Sequence, residues 1–407
     1  MFFDNEDIIE KLLSLKGLTL NNSVLPKVID VFKKISKTKI VTVAGTNGKG
    51  TTVHLLASIL SFKNITNIAH LSPHIVNPNE RIRINNNDIS NPFLNFLLLK
   101  TLDLVSKKKL QLNYYSIFFL CVIEAVFILK PKWHILEVGI GGRLDLANVL
   151  DADISVLTQI GIDHVNLLGN SVESISMEKV AIARKDKYMV IGSKIPKKSL
   201  DYLKSISSIV LYARRFDKFY KSKLPKESLN CGLEVFHLIS PKTKPSFLPT
   251  HIFNINFIGR NQALQLSPVI IVDMAHNYSS ISYLLKNIIN LKKMLKKKSR
   301  LIAFFSMLSN KDIKSSTSLF GRIFDYYFIP SLKNLDPRGL SFCEIRKKCS
   351  LIEKKCFFFD NYISARNSLI KFMKKEDAIV IFGSSIIVGR FLHDYYRKKD
   401  LFRKKTN

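Results

Sequence analysis

The sequence predicts an α/β protein of two domains: an N-terminal P-loop domain on a mostly parallel, doubly wound sheet, and a smaller C-terminal α/β domain of Rossmann-like design. Three observations predict it. Short strand-like runs alternate with helical patterns along the first part of the chain, the signature of a parallel sheet wrapped by helices. The first of these runs turns through glycines straight into the apolar-periodic segment Val53, Leu55, Leu56, Ile59 and Leu60. A second alternation then follows a weakly patterned stretch at 218–257, which is rich in Lys, Pro and Ser. In order, strands are expected at 40–44, 67–71, 134–138, 154–160, 188–191 and 209–212, and again at 269–273, 301–305, 326–329, 356–359 and 378–382. The run 115–129 is apolar but contains Glu124 and is too short to span a bilayer, so it reads as a buried helix. Domains are placed at 1–267 and 268–407.

Composition narrows the classes. At 407 residues and 46% hydrophobic, the chain can bury two cores. No apolar run reaches the roughly 20 residues of a membrane span, and the acidic start does not resemble a signal peptide. Five scattered cysteines without metal-type pairing point to reduced thiols and a cytoplasmic protein. The formal charge of +31 raises nucleic-acid binding. Yet the lysines are spread over almost every surface segment with abundant Ile and Asn, as in the codon drift of an AT-rich genome. No nucleic-acid or membrane partner is expected, and a monomer is.

The chemistry-bearing residues follow the strands, where open α/β sheets collect ligands. In Val41-Thr42-Val43-Ala44-Gly45-Thr46-Asn47-Gly48-Lys49-Gly50-Thr51-Thr52, glycines let backbone N–H groups close round a polyphosphate. Lys49 would neutralise the terminal phosphates, and Thr51 or Thr52 would offer a hydroxyl to Mg²⁺. Thr46, Asn47, Gly48, Lys49, Gly50 and Thr51 are therefore the candidate nucleotide ligands. Ser72-Pro73-His74 and Glu80-Arg81-Ile82 come after the second strand. Glu137 ends the third and runs into Gly139-Ile140-Gly141-Gly142-Arg143-Leu144-Asp145-Leu146-Ala147-Asn148; a carboxylate at that edge suits a hard cation. Asp163-His164 with Leu168-Gly169, Glu178-Lys179, Gly259-Arg260 and Asp273-Met274-Ala275-His276-Asn277 follow in turn. Met307-Leu308, Lys311-Asp312-Ile313, Pro337-Arg338-Gly339 and Gly383-Ser384 complete the set.

These strings, over almost the whole chain and in order, resemble the folate branch of the Mur ligase superfamily. The resemblance implies a P-loop ATPase domain joined to a glutamate-ligase domain. It implies ATP- and Mg²⁺-dependent addition of L-glutamate to dihydropteroate and to tetrahydrofolate or folylpolyglutamate, through an acyl phosphate. It makes Ser72, Glu137 and His164 metal ligands, and Lys179 a carbamylated lysine acting with Lys49, His164 and Glu137 in catalysis. Arg260 and Asp273 would contact the nucleotide. Leu144, Asp145 and Leu146 would line the pterin pocket, and Asn113, Tyr114, Tyr115 and Ser116 stand where relatives carry a Thr-x-Phe-Glu substrate segment. The chain departs from the family at three places. Residues 17–23 lack an aspartate and an arginine, Ser116 replaces an acidic residue, and the Asn-Ala-x-x-Ala helix expected before Arg260 is missing, with Asn254 or Asn256 the nearest substitutes. A ligase retaining one activity, or a weakened nucleotide-binding relative, is the alternative.

Overall fold

The computed structural model describes residues 37–397, except 111, 221, 223, 243–247, 255–256, 322 and 350–355, together with Phe402. The departure at 17–23 and Asn256 lie outside the described residues. The chain parts into two compact units: one runs to Gly161 and resumes from Leu168 to 255, the other takes Ile162–Leu167 and everything from 256 on. The expected boundary at 267/268 therefore falls inside an antiparallel pair. The strand β9 (Gln262–Leu266), not foreseen, pairs with β10 (Val269–Asp273) and stays with the second unit.

In the first unit, the strands among the described residues form one sheet. They are β1 (Lys39–Ala44), β2 (Asn67–His70), β3 (Ile82–Ile84), β4 (Asn87–Asp88), β5 (Trp133–Glu137), β6 (Ile154–Leu157), β7 (Tyr188–Ile191) and β8 (Ile209–Tyr212). Their order is β4-β3-β2-β5-β1-β6-β7-β8. From β2 to β8 neighbours run parallel; β2–β3 and β3–β4 are antiparallel. The β3–β4 hairpin turns on Asn85 and Asn86, both at positive φ, a conformation asparagine tolerates better than most residues. Chain order departs to opposite sides of β1, making its carboxyl end the switch point where such sheets bind ligands.

Six helices of this unit matter here: α1 (Lys49–Phe62), α2 (Asn91–Lys107), α3 (Tyr114–Leu129), α4 (Val172–Val180), α5 (Lys197–Ser205) and α6 (Lys226–Ile239). The apolar run behaves as its composition requires: Ile117–Val126 of α3 is buried and packs with α2 over one face of the sheet. Glu124 is tolerated there because Lys100 of α2 pairs with it.

The second unit has β9 to β14, the later four being β11 (Leu301–Phe305), β12 (Tyr326–Pro330), β13 (Cys356–Phe359) and β14 (Ala378–Phe382). Their order is β13-β12-β11-β14-β10-β9, parallel except for β9. β11 and β14 are wholly buried, which is why they read as continuous apolar runs with no alternation. Its helices are α7 (Tyr278–Met294), α8 (Ile313–Phe320), α9 (Phe342–Lys348), α10 (Tyr362–Phe372) and α11 (Ser385–Arg397). Phe305, Phe320, Phe324 and Phe382 meet at its core with ring centroids 4.9 to 6.3 Å apart. Among the described residues no helix is long and apolar enough to cross a membrane.

Candidate active site

β1 ends in Ala44, and the chain turns at Gly45 (φ 152°) and Gly48 (φ 86°) before α1 begins. Both glycines are obligatory. A Cβ on Gly45 would lie 1.9 Å from Thr158 Oγ1, and one on Gly48 would lie 2.5 Å from Ser228 Oγ. Glycine at the cap also leaves the helix N-terminus without a side-chain cap, so its first N–H groups and dipole face outward for an anion. The loop is braced from β6. Thr46 N–H donates to the Gln159 carbonyl at 2.6 Å, Thr158 Oγ1 donates to the Asn47 carbonyl at 2.7 Å, and Asn47 Nδ2 reaches Gln159 Oε1 at 3.4 Å. Thr52 Oγ1 turns back to the Gly48 carbonyl at 2.9 Å, which leaves Thr51 as the candidate hydroxyl for a cation.

Two lysines converge on this loop. Lys49 Nζ donates to the Gly45 carbonyl at 3.0 Å, and Lys179 Nζ, from the last turn of α4, donates to the same oxygen at 3.1 Å. Lys179 is 4% exposed. A surface helix lysine would not be buried against a phosphate-type loop.

Glu137, at the end of β5, is also buried; Oε2 accepts the Ser72 N–H at 3.0 Å, and a Cβ on Gly50 would lie 3.1 Å from it. The loop carrying Ser72 is built by the second half of its own motif. Glu80 accepts three consecutive backbone N–H groups, from Ile75, Val76 and Asn77, at 2.7 to 2.9 Å. Arg81 lies over the Tyr114 ring at 4.9 Å, donates to His74 Nδ1 at 2.8 Å and reaches Ser72 Oγ at 3.5 Å. Ser72, Glu137, Lys49 and Lys179 are thus gathered round residues 45–50 in the first unit.

The proposed substrate residues divide by role. Asp145 accepts Gly139 N–H and Ile140 N–H on one oxygen, and Tyr115 OH and Ala147 N–H on the other, all at 2.9 to 3.2 Å. Burial raises its pKa, and these hydrogen bonds oppose the rise; Tyr115 is pushed well above the phenol range by burial and by that carboxylate. Asp145 therefore fixes the glycine-rich bend. Leu146 is in the core at 4% exposed, whereas Leu144 is 71% exposed and has surface to offer a ligand. Asn113 is the N-cap of α3, accepting from both N–H and Oγ of Ser116, itself fully buried. Ser116 thus serves the cap of its own helix.

A helix, α6, does precede Arg260 in the chain, although the Asn-Ala-x-x-Ala string is absent from it. Asn230 lies within it, exchanging hydrogen bonds with Asp217: Nδ2 donates to Oδ1 at 2.8 Å and Oδ1 accepts the Asp217 N–H at 2.9 Å. Ser228 Oγ, two residues nearer its start, donates to the Gly48 carbonyl at 3.1 Å. Its apolar stripe, Leu229, Leu233 and Phe236, is interleaved with buried Ser228, Asn230, Gly232 and Glu234, which blurs the pattern in sequence. Thr158, Gln159 and Ser228 brace the loop, and sequence reasoning missed them. The first two follow β6 directly, at the sheet edge where ligand contacts are expected.

In the second unit Asp163 is the hub. It accepts Lys311 Nζ at 2.6 Å, Asn277 Nδ2 at 2.9 Å and its neighbour's N–H, from His164, at 2.8 Å, with His276 Nε2 at 3.5 Å. Burial would raise its pKa, but His276 and Lys311 hold it far below the carboxylate range. His164 has φ 52°, and its Nε2 lies 3.2 Å from Lys311 Nζ. Asp273 accepts Asn261 N–H and Ala275 N–H, both at 2.7 Å, and so ties the loop of exposed Arg260 to the end of β10. Burial raises the Asp273 pKa against the pull of Arg260. His164, Arg260 and Asp273 are thus placed in the second unit, and Ser72, Glu137 and the phosphate loop in the first.

The residues fit a nucleotide and a hard divalent ion. Residues 45–50 turn on glycines that leave no room for a Cβ against Thr158, Ser228 and Glu137, and Glu137, Ser72 and Thr51 bring oxygen atoms to the loop. Among the described residues no group of three His, Cys, Asp or Glu side chains is placed to hold a metal ion by itself. Residues 259–385 match the Mur ligase glutamate ligase domain. A dihydrofolate synthase/folylpolyglutamate synthase of Buchnera aphidicola subsp. Schizaphis graminum is 30% identical over 389 residues, covering 90% of each chain. The solved Escherichia coli FolC with DHPP and ADP superposes with a TM-score of 0.84 at 24% identity, over 96% of this chain and 98% of that one. The bifunctional Yersinia pestis folylpolyglutamate synthase/dihydrofolate synthase bound to AMPPNP and Mn superposes at 0.82, with 23% identity over 96% and 98%.

Proposed function

The chain belongs to the dihydrofolate synthase/folylpolyglutamate synthase family and is an ATP-dependent glutamate ligase, and we propose that it glutamylates both dihydropteroate and tetrahydrofolate or its polyglutamates. The observation that carries the reading is the convergence of Lys49 and Lys179 on the Gly45 carbonyl, beside Glu137 and Ser72. Activating a carboxylate brings two anions together, the acid and the triphosphate, so fixed positive charge and oriented dipoles must offset their repulsion. Here the α1 N-terminus and Lys49 hold the phosphates, and the brace from Thr158, Gln159 and Ser228 keeps the loop from collapsing when they are absent. The carboxylate takes the γ-phosphoryl group of ATP, whose bond to the β–γ bridging oxygen breaks to release ADP, and the amine of L-glutamate then displaces phosphate from the acyl phosphate, losing a proton as the amide forms. Mg²⁺, when bound, would offset charge on the transferring phosphoryl group. Ser72 and Glu137 are proposed magnesium ligands of the first unit, and His164 is a proposed magnesium ligand of the second. Carbamylated, Lys179 would exchange a cation for an anion at the loop. Arg260 and Asp273 are proposed nucleotide contacts, and Leu144 a pterin contact.

The test is ADP release by the purified chain with ATP, Mg²⁺ and L-glutamate, with dihydropteroate or tetrahydrofolate as acceptor. Turnover with both is expected. Turnover with one alone removes the bifunctional reading in favour of a monofunctional ligase.

A further inference from the structure

Lys311 has an unusual neighbour for a cation. Its ammonium lies 3.2 Å from His164 Nε2 and 2.6 Å from Asp163 Oδ1, and its side chain is 8% exposed. An ammonium carries donors only, so the ring nitrogen facing it must be the acceptor, with its lone pair directed at Nζ. That lone pair is the one a metal ion would need at Nε2. The rest of the cluster holds the pair in place. His164 stays in the left-handed region, unfavourable for a non-glycine residue, with its N–H on Asp163 Oδ1. Asp163 is further fixed by Asn277 Nδ2 at 2.9 Å, and His276 Nε2 lies 3.5 Å from its other oxygen.

We propose that the Lys311 ammonium occupies the place of a divalent cation at His164 Nε2 and Asp163, so that metal binding at His164 requires Lys311 to withdraw. The inference rests on the reading of His164 as a metal ligand. Two cations cannot share one lone pair, and their mutual repulsion in a shielded site adds to the exclusion. Lys311 thereby keeps His164 oriented and its partner carboxylate neutralised while no metal is bound, and its release couples metal loading to a rearrangement of the Lys311 side chain.

The experiment is Mn²⁺ titration of the full chain, followed by the electron paramagnetic resonance signal of free Mn²⁺. Lys311→Met should bind Mn²⁺ about tenfold more tightly than the parent, the order expected for removing one like charge. Lys311→Gln is a second uncharged variant should the first fail to fold, and Lys311→Arg, which keeps the charge, should not gain. The gain should vanish in Lys311→Met/His164→Ala. Folded uncharged variants that bind Mn²⁺ no better than the parent overturn the exchange, even where His164→Ala weakens binding. If His164→Ala changes nothing in either background, the assignment of His164 as a ligand fails instead.

Discussion

At the scale of single residues, the Gly45 carbonyl accepts two lysine ammonium groups at once. Such crowding of positive charge is relieved when an anion arrives or when one lysine changes charge, and a carbamate on Lys179 does the second. Lys179→Ala is expected to cut ADP release at least about a hundredfold, the size typical for a preorganised charge-stabilising group, and a small added carboxylate should restore part of it. An unchanged rate in both conditions would remove the carbamate from the mechanism. Two buried histidines make a different prediction. Burial is the main cause that drives the His70 pKa well below normal, aided by Arg81 and His134, and burial pushes His134 down to about 3. Folded, both stay neutral; unfolded, both take up a proton near pH 6.5. Below that pH the unfolded chain binds more protons, so stability falls with pH, by up to about 1.4 kcal/mol per pH unit for each histidine. Urea midpoints should drop between about pH 7.5 and pH 5.5, and His134→Leu should flatten the slope. Parallel slopes would contradict it. Motif spacing singled out Lys49, Glu137 and Lys179, and the fold gathers them round one loop. Asp145 and Ser116 the sequence could not resolve, since whether a polar side chain faces a ligand or caps its own backbone depends on geometry that spacing does not carry.

At the scale of elements, α1 and α6 meet at Gly232, where a Cβ would lie 2.8 Å from Leu55 Cδ2. Gly232→Val must push the helices apart or strain both, and is expected to cost about 1–3 kcal/mol in chemical denaturation while loosening the Ser228 brace on the phosphate loop. A stability within about 0.5 kcal/mol of the parent, the usual range for surface substitutions, would show that the contact yields freely. The parallel strands were readable because burial on both faces concentrates β-branched and aromatic residues in them. Three short elements, β3, β4 and β9, were not. Each pairs antiparallel at or next to a sheet edge, where partial exposure erases the apolar signal. The Asn85-Asn86 turn was the one local clue to the first pair.

At the scale of the whole molecule each unit buries apolar side chains of its own, beneath α2 and α3 in the first and around the phenylalanines in the second. Separate cores give no physical reason for a single all-or-none transition. Scanning calorimetry should yield a calorimetric enthalpy larger than the van't Hoff value, and equality would mean the units melt as one. The two-domain plan was legible from the two strand–helix alternations. The crossing of 162–167 into the second unit was not, because nothing in Ile162-Asp163-His164 tells which partners its carboxylate will find. That excursion bears on any attempt to dissect the protein genetically. The backbone passes between the units three times, so no single cut frees either one. A truncation beginning near 256 would leave Lys311, Asn277 and His276 without the acid that orders them, and should be grafted together with the hexapeptide or not at all.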